Sequence, residues 1–161
     1  VGDRIYVQEM TSWAASYGER TGVEVLQVNN LREISRDVYR ILAVGSDRDI
    51  EKLEMDMNKH FLGSIYVTRS LPHFCEVLSG GAGKEKALQW ICSSLGIEGH
   101  EVISFGNGFN DVEMLRWSGL GVAVKGGEIP AIEAADDLAL NAESDGVGRY
   151  LDQLLSRNLI G

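Results

Sequence analysis

The sequence predicts an α/β protein in which a parallel layer follows an α+β lobe. Three observations carry that reading. An apolar run, residues 102–105, ends in a polar, glycine-rich turn that opens a helix. Strand and helix patterns alternate regularly beyond residue 83, as in parallel sheets with crossover helices. Before the cluster Gly80-Gly81-Ala82-Gly83 the order differs, and strands follow one another directly.

Taken in order, residues 1–10 open as a strand, with Ile5 and Val7 alternating against Arg4 and Gln8. A helix over 11–20 carries Trp13 and Tyr17 four apart, a spacing that makes an aromatic core pair. A strand over 23–28, a break at Asn29-Asn30 and a strand over 38–44 follow. The helix over 47–61 carries an amphipathic pattern at Ile50, Leu53, Met57 and Phe61. Its opening Asp47-Arg48-Asp49 reads as a cap, with Ser46 or Asp47 at the N-cap and acids favoured by the helix dipole. Strands over 64–69 and 74–78 complete a lobe with helices on one face of a largely antiparallel sheet.

Beyond residue 83 the pattern is helix 84–95, strand 102–105, helix 110–118, strand 121–124, helix 128–135, strand 137–140 and helix 146–156. The runs Val102-Ile103 and Gly121-Val122-Ala123-Val124 are apolar on both faces, as buried parallel strands are. Gly99 and Gly119 are expected at helix ends, and Pro130 in a first helical turn. Trp90 and Trp117 fall on apolar helix faces and are expected in the core. Asp136, Asp137, Glu143 and Asp145 stand near helix starts and strand ends, where capping is their expected role.

Composition narrows the class. The 161 residues are 44% hydrophobic and 24% charged, near globular averages. The net charge of −9 speaks against a nucleic-acid partner, which would need clustered Lys and Arg. Cys75 and Cys92 are too few and too far apart for a zinc motif or a disulfide framework, and His60, His73 and His100 share no ligand spacing. No apolar run reaches the ~20 residues of a membrane span and no signal peptide opens the chain, so no membrane partner and a cytoplasmic location are expected.

The chemistry concentrates in Gly106-Asn107-Gly108-Phe109-Asn110-Asp111. In an open α/β sheet such a turn lies at the carboxyl end of its strand, where ligands bind. Asn107, Asn110 and Asp111 place three oxygen-bearing side chains there, a set suited to a hard cation such as Mg²⁺. Helix capping by Asn110 or Asp111 accounts for the turn equally well. Lys84 starts a helix, where the dipole disfavours a cation, so an anion such as phosphate or a neighbouring carboxylate explains it better. Lys86 and Lys125 are expected at the surface.

The segment Gly106 to Asp111 resembles the fourth motif of the haloacid dehalogenase-like phosphatases, G-D-x-x-N-D. Its continuation, Val112-Glu113-Met114-Leu115 and Gly119 to Val124, is similar to the Cof-type branch. Gly83-Lys84-Glu85-Lys86-Ala87-Leu88 resembles the third motif, and Ala134-Ala135-Asp136 with residues 141–147 the closing segment. The resemblance runs from residue 76 to 155. It implies the C-terminal half of a parallel, doubly wound (Rossmann-like) core at 76–161, preceded by an α+β cap lobe at 1–75. It also implies a Mg²⁺-dependent phosphoric monoester hydrolase acting on small phosphorylated metabolites through an aspartyl-phosphate. On matching positions, Lys84 and Asp111 would be catalytic, Lys84 and Asn110 would bind phosphate, and Asn107 and Asp111 would serve the metal.

Two departures stand out. Asn107 replaces the usual first acid of the fourth motif, and the first motif, D-x-D-G-T with its nucleophilic Asp, is absent. A truncated or processed chain explains both that absence and the leading Val1. The expectation is therefore a piece without turnover of its own, which dimerises or associates with its N-terminal segment. The alternative is a non-catalytic domain of the same fold that binds a phosphorylated ligand or a partner.

Overall fold

The computed structural model describes residues 4–34 and 38–160, so residues 1–3 of the predicted first strand lie outside the described residues. Among the described residues three separate sheets organise the fold. Strands β1 (Arg4–Val7) and β2 (Glu24–Gln27) pair in parallel around helix α1 (Ser12–Thr21). Strands β3 (Ile41–Val44), β4 (Ile65–Leu71) and β5 (Phe74–Ser79) form an antiparallel sheet in the order β3-β5-β4. Helix α2 (Asp47–Phe61) covers this sheet, setting Ile50 against Val67 and Cys75 with Leu53 and Met57 beside them. The apolar positions at i, i+3 and i+7 make that stripe.

After the glycine cluster come α3 (Lys84–Leu95), β6 (Ile103–Gly106), α4 (Val112–Trp117), β7 (Leu120–Val124), α5 (Ile129–Ala134), β8 (Asp137–Ala139) and α6 (Gly146–Ser156). Strands β6, β7 and β8 lie side by side in parallel, in that order. Leu115 and Val122 are fully buried between α4 and the middle strand. A central parallel strand covered on both faces needs such an all-apolar run.

Several expectations change. The first lobe is not one antiparallel sheet, because β1 and β2 pair only with each other among the described residues. Trp13 and Tyr17 pack on the start of the hairpin strand β5, with ring centroids 6.4 and 5.9 Å from Phe74, and Trp13 stays half exposed. A division at residue 75 would cut β5, whose pairing keeps Glu76 to Ser79 in the antiparallel sheet. Helix α3 ends at Gly96, whose φ of +70° is the left-handed conformation glycine adopts freely, and not at Gly99. Gly99 and Gly119 instead mark a close approach: the Gly119 N–H donates to the Gly99 carbonyl at 2.7 Å. A Cβ at Gly119 would stand 2.2 Å from the His100 carbonyl oxygen. Trp90 is 73% exposed, so it does not pack in the core. Ser46 caps α2 by accepting from the Asp49 N–H, as the Asp47-Arg48-Asp49 reading requires.

The chain presents 10707 Å² to solvent. That is about a third above the roughly 7,900 Å² of a compact monomer of 17.6 kDa. Trp90, Ile91 and Leu95 of α3 are exposed, and β6 and β8 each leave one edge unpaired among the described residues. Open edges and apolar faces favour association. The 161-residue chain is therefore expected to dimerise or aggregate at micromolar concentration. Light scattering that showed a monodisperse monomer would contradict this.

Candidate active site

The turn after β6 gathers most of the polar side chains singled out above. Asp111 ends a short helical turn, Phe109–Asp111, that leads into α4, and it is only 3% exposed. Its carboxylate does not cap α4. Oδ2 turns back to accept the N–H groups of Asn107 and Gly108, each at 2.9 Å. Oδ1 accepts from Lys84 Nζ in a direct ion pair. Asn110 Oδ1 accepts from the same ammonium group at 3.3 Å. Gly106 makes room for this, because a Cβ there would stand 2.5 Å from the Asp111 Cβ. Capping, the competing reading of Asn110 and Asp111, holds in part: Asp111 caps the turn Phe109–Asp111 through the Gly108 N–H, while its other oxygen and that of Asn110 are trained on one cation.

Lys84 is the first residue of α3 and follows Gly83, whose φ of +127° L side chains rarely adopt. Its side chain remains 49% exposed beside the buried Asp111. An ammonium group has three donors. Two of Lys84's are directed at Asp111 and Asn110, and among the described residues no third acceptor meets it. Asn107 is fixed through its backbone: its N–H reaches Asp111, and its carbonyl accepts from the Glu128 N–H at 2.8 Å. Asn107 itself is exposed at the strand's carboxyl end.

Lys84, Asn110 and Asp111 therefore come together, with Asn107 on the same turn. Lys86 and Lys125 are exposed, and Lys86 pairs with Glu85 at 3.3 Å. The four outlying acids do not act as helix caps. Asp136 accepts the Gly121 N–H at 2.8 Å and fixes the start of β7. Asp137 accepts from the Tyr150 hydroxyl at 2.7 Å, which holds its carboxyl below the usual range. Asp145 precedes α6 without a side-chain cap bond, and the turn Ala142–Ser144 is capped by Asn141 rather than Glu143.

A cleft of about 570 Å³ adjoins this turn, lined among others by Glu54, Tyr66, Arg69, Glu85, Phe109 and Glu113. Tyr66 donates to Glu113 at 3.5 Å, and burial, then that carboxylate, push its phenol up to about 12. Sequence reading missed Tyr66, Arg69 and Glu113. Their partners lie far along the chain, and neither the half-polar strand β4, which carries Tyr66 and Arg69, nor helix α4, which carries Glu113, shows a local sign of them.

Residues 2–151 match the haloacid dehalogenase-like hydrolase family model, and the chain belongs to that family. The chain is 30% identical over 132 residues to 5-amino-6-(5-phospho-D-ribitylamino)uracil phosphatase YitU of Bacillus subtilis, covering 80% of this chain and 49% of the relative. It superposes on a haloacid dehalogenase-like hydrolase from Bacteroides thetaiotaomicron with a TM-score of 0.72 and 27% identity, over 95% of this chain and 58% of that one. SMU.1108c from Streptococcus mutans shares the fold, with a TM-score of 0.82 at 19% identity, over 94% of this chain and 57% of that one. The chain spans about half the length of the curated relatives it matches.

The buried carboxylate is expected to matter more for folding than its partner. Asp111→Ala leaves two turn N–H groups without their acceptor and should cost about 2–4 kcal/mol. Lys84→Ala leaves the other oxygen of the buried carboxylate to water entering the half-exposed lysine position, and should cost less, about 1–2 kcal/mol. Urea unfolding of both variants checks this ranking, and equal losses would contradict it.

Proposed function

We propose that the intact protein is a phosphatase for small phosphorylated metabolites, working through an aspartyl-phosphate. The observation that carries the proposal is Lys84, held by Asp111 and Asn110 at the carboxyl end of a parallel strand with its side chain half exposed. Phosphoryl transfer depends mostly on positioning and on charge placed against the transferring oxygens. Lys84 would face those oxygens. Asp111 would keep its ammonium aimed, and the Asn110 amide would brace the turn or meet the phosphate. The nucleophilic carboxylate would come from another segment of the intact protein. The relative YitU, named for a phosphorylated ribitylamino compound, supports the substrate class.

Residues 4–79 would serve as a cap and the rest as part of the core. Contact between the two supports this. A Cβ on Gly108 would stand 3.8 Å from the Ser70 carbonyl oxygen of β4, beside the cleft. A cap of this kind excludes water from the transfer and selects the substrate.

For Mg²⁺ these residues fit only part of a coordination shell. Among the described residues no three His, Cys, Asp or Glu side chains converge, and both Asp111 oxygens already accept hydrogen bonds. Asn107 would offer its amide oxygen, and Asp111 would hold a metal-bound water. When bound, the ion would draw charge from the phosphoryl oxygens. The neutral Asn107 favours the second reading, a domain that binds a phosphorylated ligand without turnover.

In the intact protein, Lys84→Ala should lower hydrolysis of an aryl phosphate by about 10²–10³. Asn107→Asp should tighten Mg²⁺ binding, because a carboxylate replaces a neutral amide. The 161-residue chain by itself should show no turnover. Full activity in Lys84→Ala, or an unchanged Mg²⁺ requirement in Asn107→Asp, would remove these residues from the site.

A further inference from the structure

Arg69 of β4 is the most constrained cation beside the cleft. Its side chain is 14% exposed, with Nε 2.7 Å from Glu54 Oε2 and Nη2 3.8 Å from Glu51 Oε1 on α2. The guanidinium carbon lies 4.0 Å from the centroid of the Phe109 ring. Two carboxylates therefore occupy its edges and an aromatic ring covers one face, a geometry in which the flat cation attracts the ring electrostatically. Its charge is committed, so it is not available to a ligand as an anion site. Its effect passes instead to Phe109, the residue just before Asn110 and Asp111.

Those two residues carry the oxygens that hold Lys84. If the Phe109 ring left the guanidinium, the short turn Phe109–Asp111 would lose its outer anchor, while Gly106 and Gly108 beside it add no side chains to hold it. Between the antiparallel sheet and the turn, the contact gives one line of support: α2 carboxylates to Arg69, Arg69 to Phe109, Phe109 to the Lys84 clamp.

We propose that Arg69 is a positioning residue, which fixes the Asn107–Asp111 turn through Phe109 and so sets where Lys84 points. The link to turnover rests on the phosphatase reading; the link to the turn does not.

The test is a double-mutant cycle in the full-length protein with Arg69→Met, Phe109→Leu and the pair, read two ways. Hydrogen exchange across residues 106–111 reports the Asn107 and Gly108 amides bonded to Asp111. Each single variant should speed that exchange about tenfold, the pair should add little, and β7 amides should hold their rates. Phe109→Tyr, which keeps a ring under the guanidinium, should preserve the protection. With p-nitrophenyl phosphate, kcat should fall about tenfold in each single variant and no further in the pair, while KM moves less than about twofold. Unchanged turn exchange, additive effects, or equal acceleration in β7 would overturn the proposal. A wild-type protein with no hydrolysis would refute the phosphatase reading, and the exchange cycle would still decide the role of Arg69.

Discussion

The carboxylate of Asp111 is the interaction on which the site depends. One oxygen gathers two backbone N–H groups of the turn, and the other holds the Lys84 ammonium. A buried carboxylate is costly unless its lone pairs are filled. Here the backbone fills one oxygen and a cation from another helix fills the other. The same group thus closes the turn after β6 and docks the start of α3 onto it. Cation and turn cannot be placed independently.

This arrangement requires the fold beneath it. The parallel strand β7 lies between β6 and β8 with Val122 fully buried, so the end of β6 is fixed against a packed layer. Asp136 ties the Gly121 N–H and sets where β7 begins. The Gly99–Gly119 contact brings the segment before β6 against the end of α4, which any Cβ at Gly119 would block. Small residues at these approaches let the strand carry its turn at one defined height.

Much of this was legible from residue pattern. The apolar run 102–105, the turn after it and the helix opening at Lys84 are local signals, and the structure brings Lys84, Asn110 and Asp111 together. Pattern could not say which orphan group each polar side chain would meet. Asp111 looked like a cap for the helix that follows it, but it reaches backward to the N–H groups of Asn107 and Gly108 and caps only the short turn it ends. Trp90 lies on an apolar face that no described element covers, so helical period overstated its burial. The separate β1–β2 pair and the Arg69–Phe109 contact rest on long-range pairing, which local period does not encode.

The central claim is that Lys84, held by Asp111, faces an oxyanion. The most direct measurement is the ¹⁵N signal of the Lys84 ammonium group in the intact protein during titration with orthovanadate, a phosphate mimic. The account predicts that this resonance shifts with the same saturation curve as vanadate binding, and that Asp111→Asn abolishes the coupling. Saturable vanadate binding with an unmoved Lys84 resonance would contradict it.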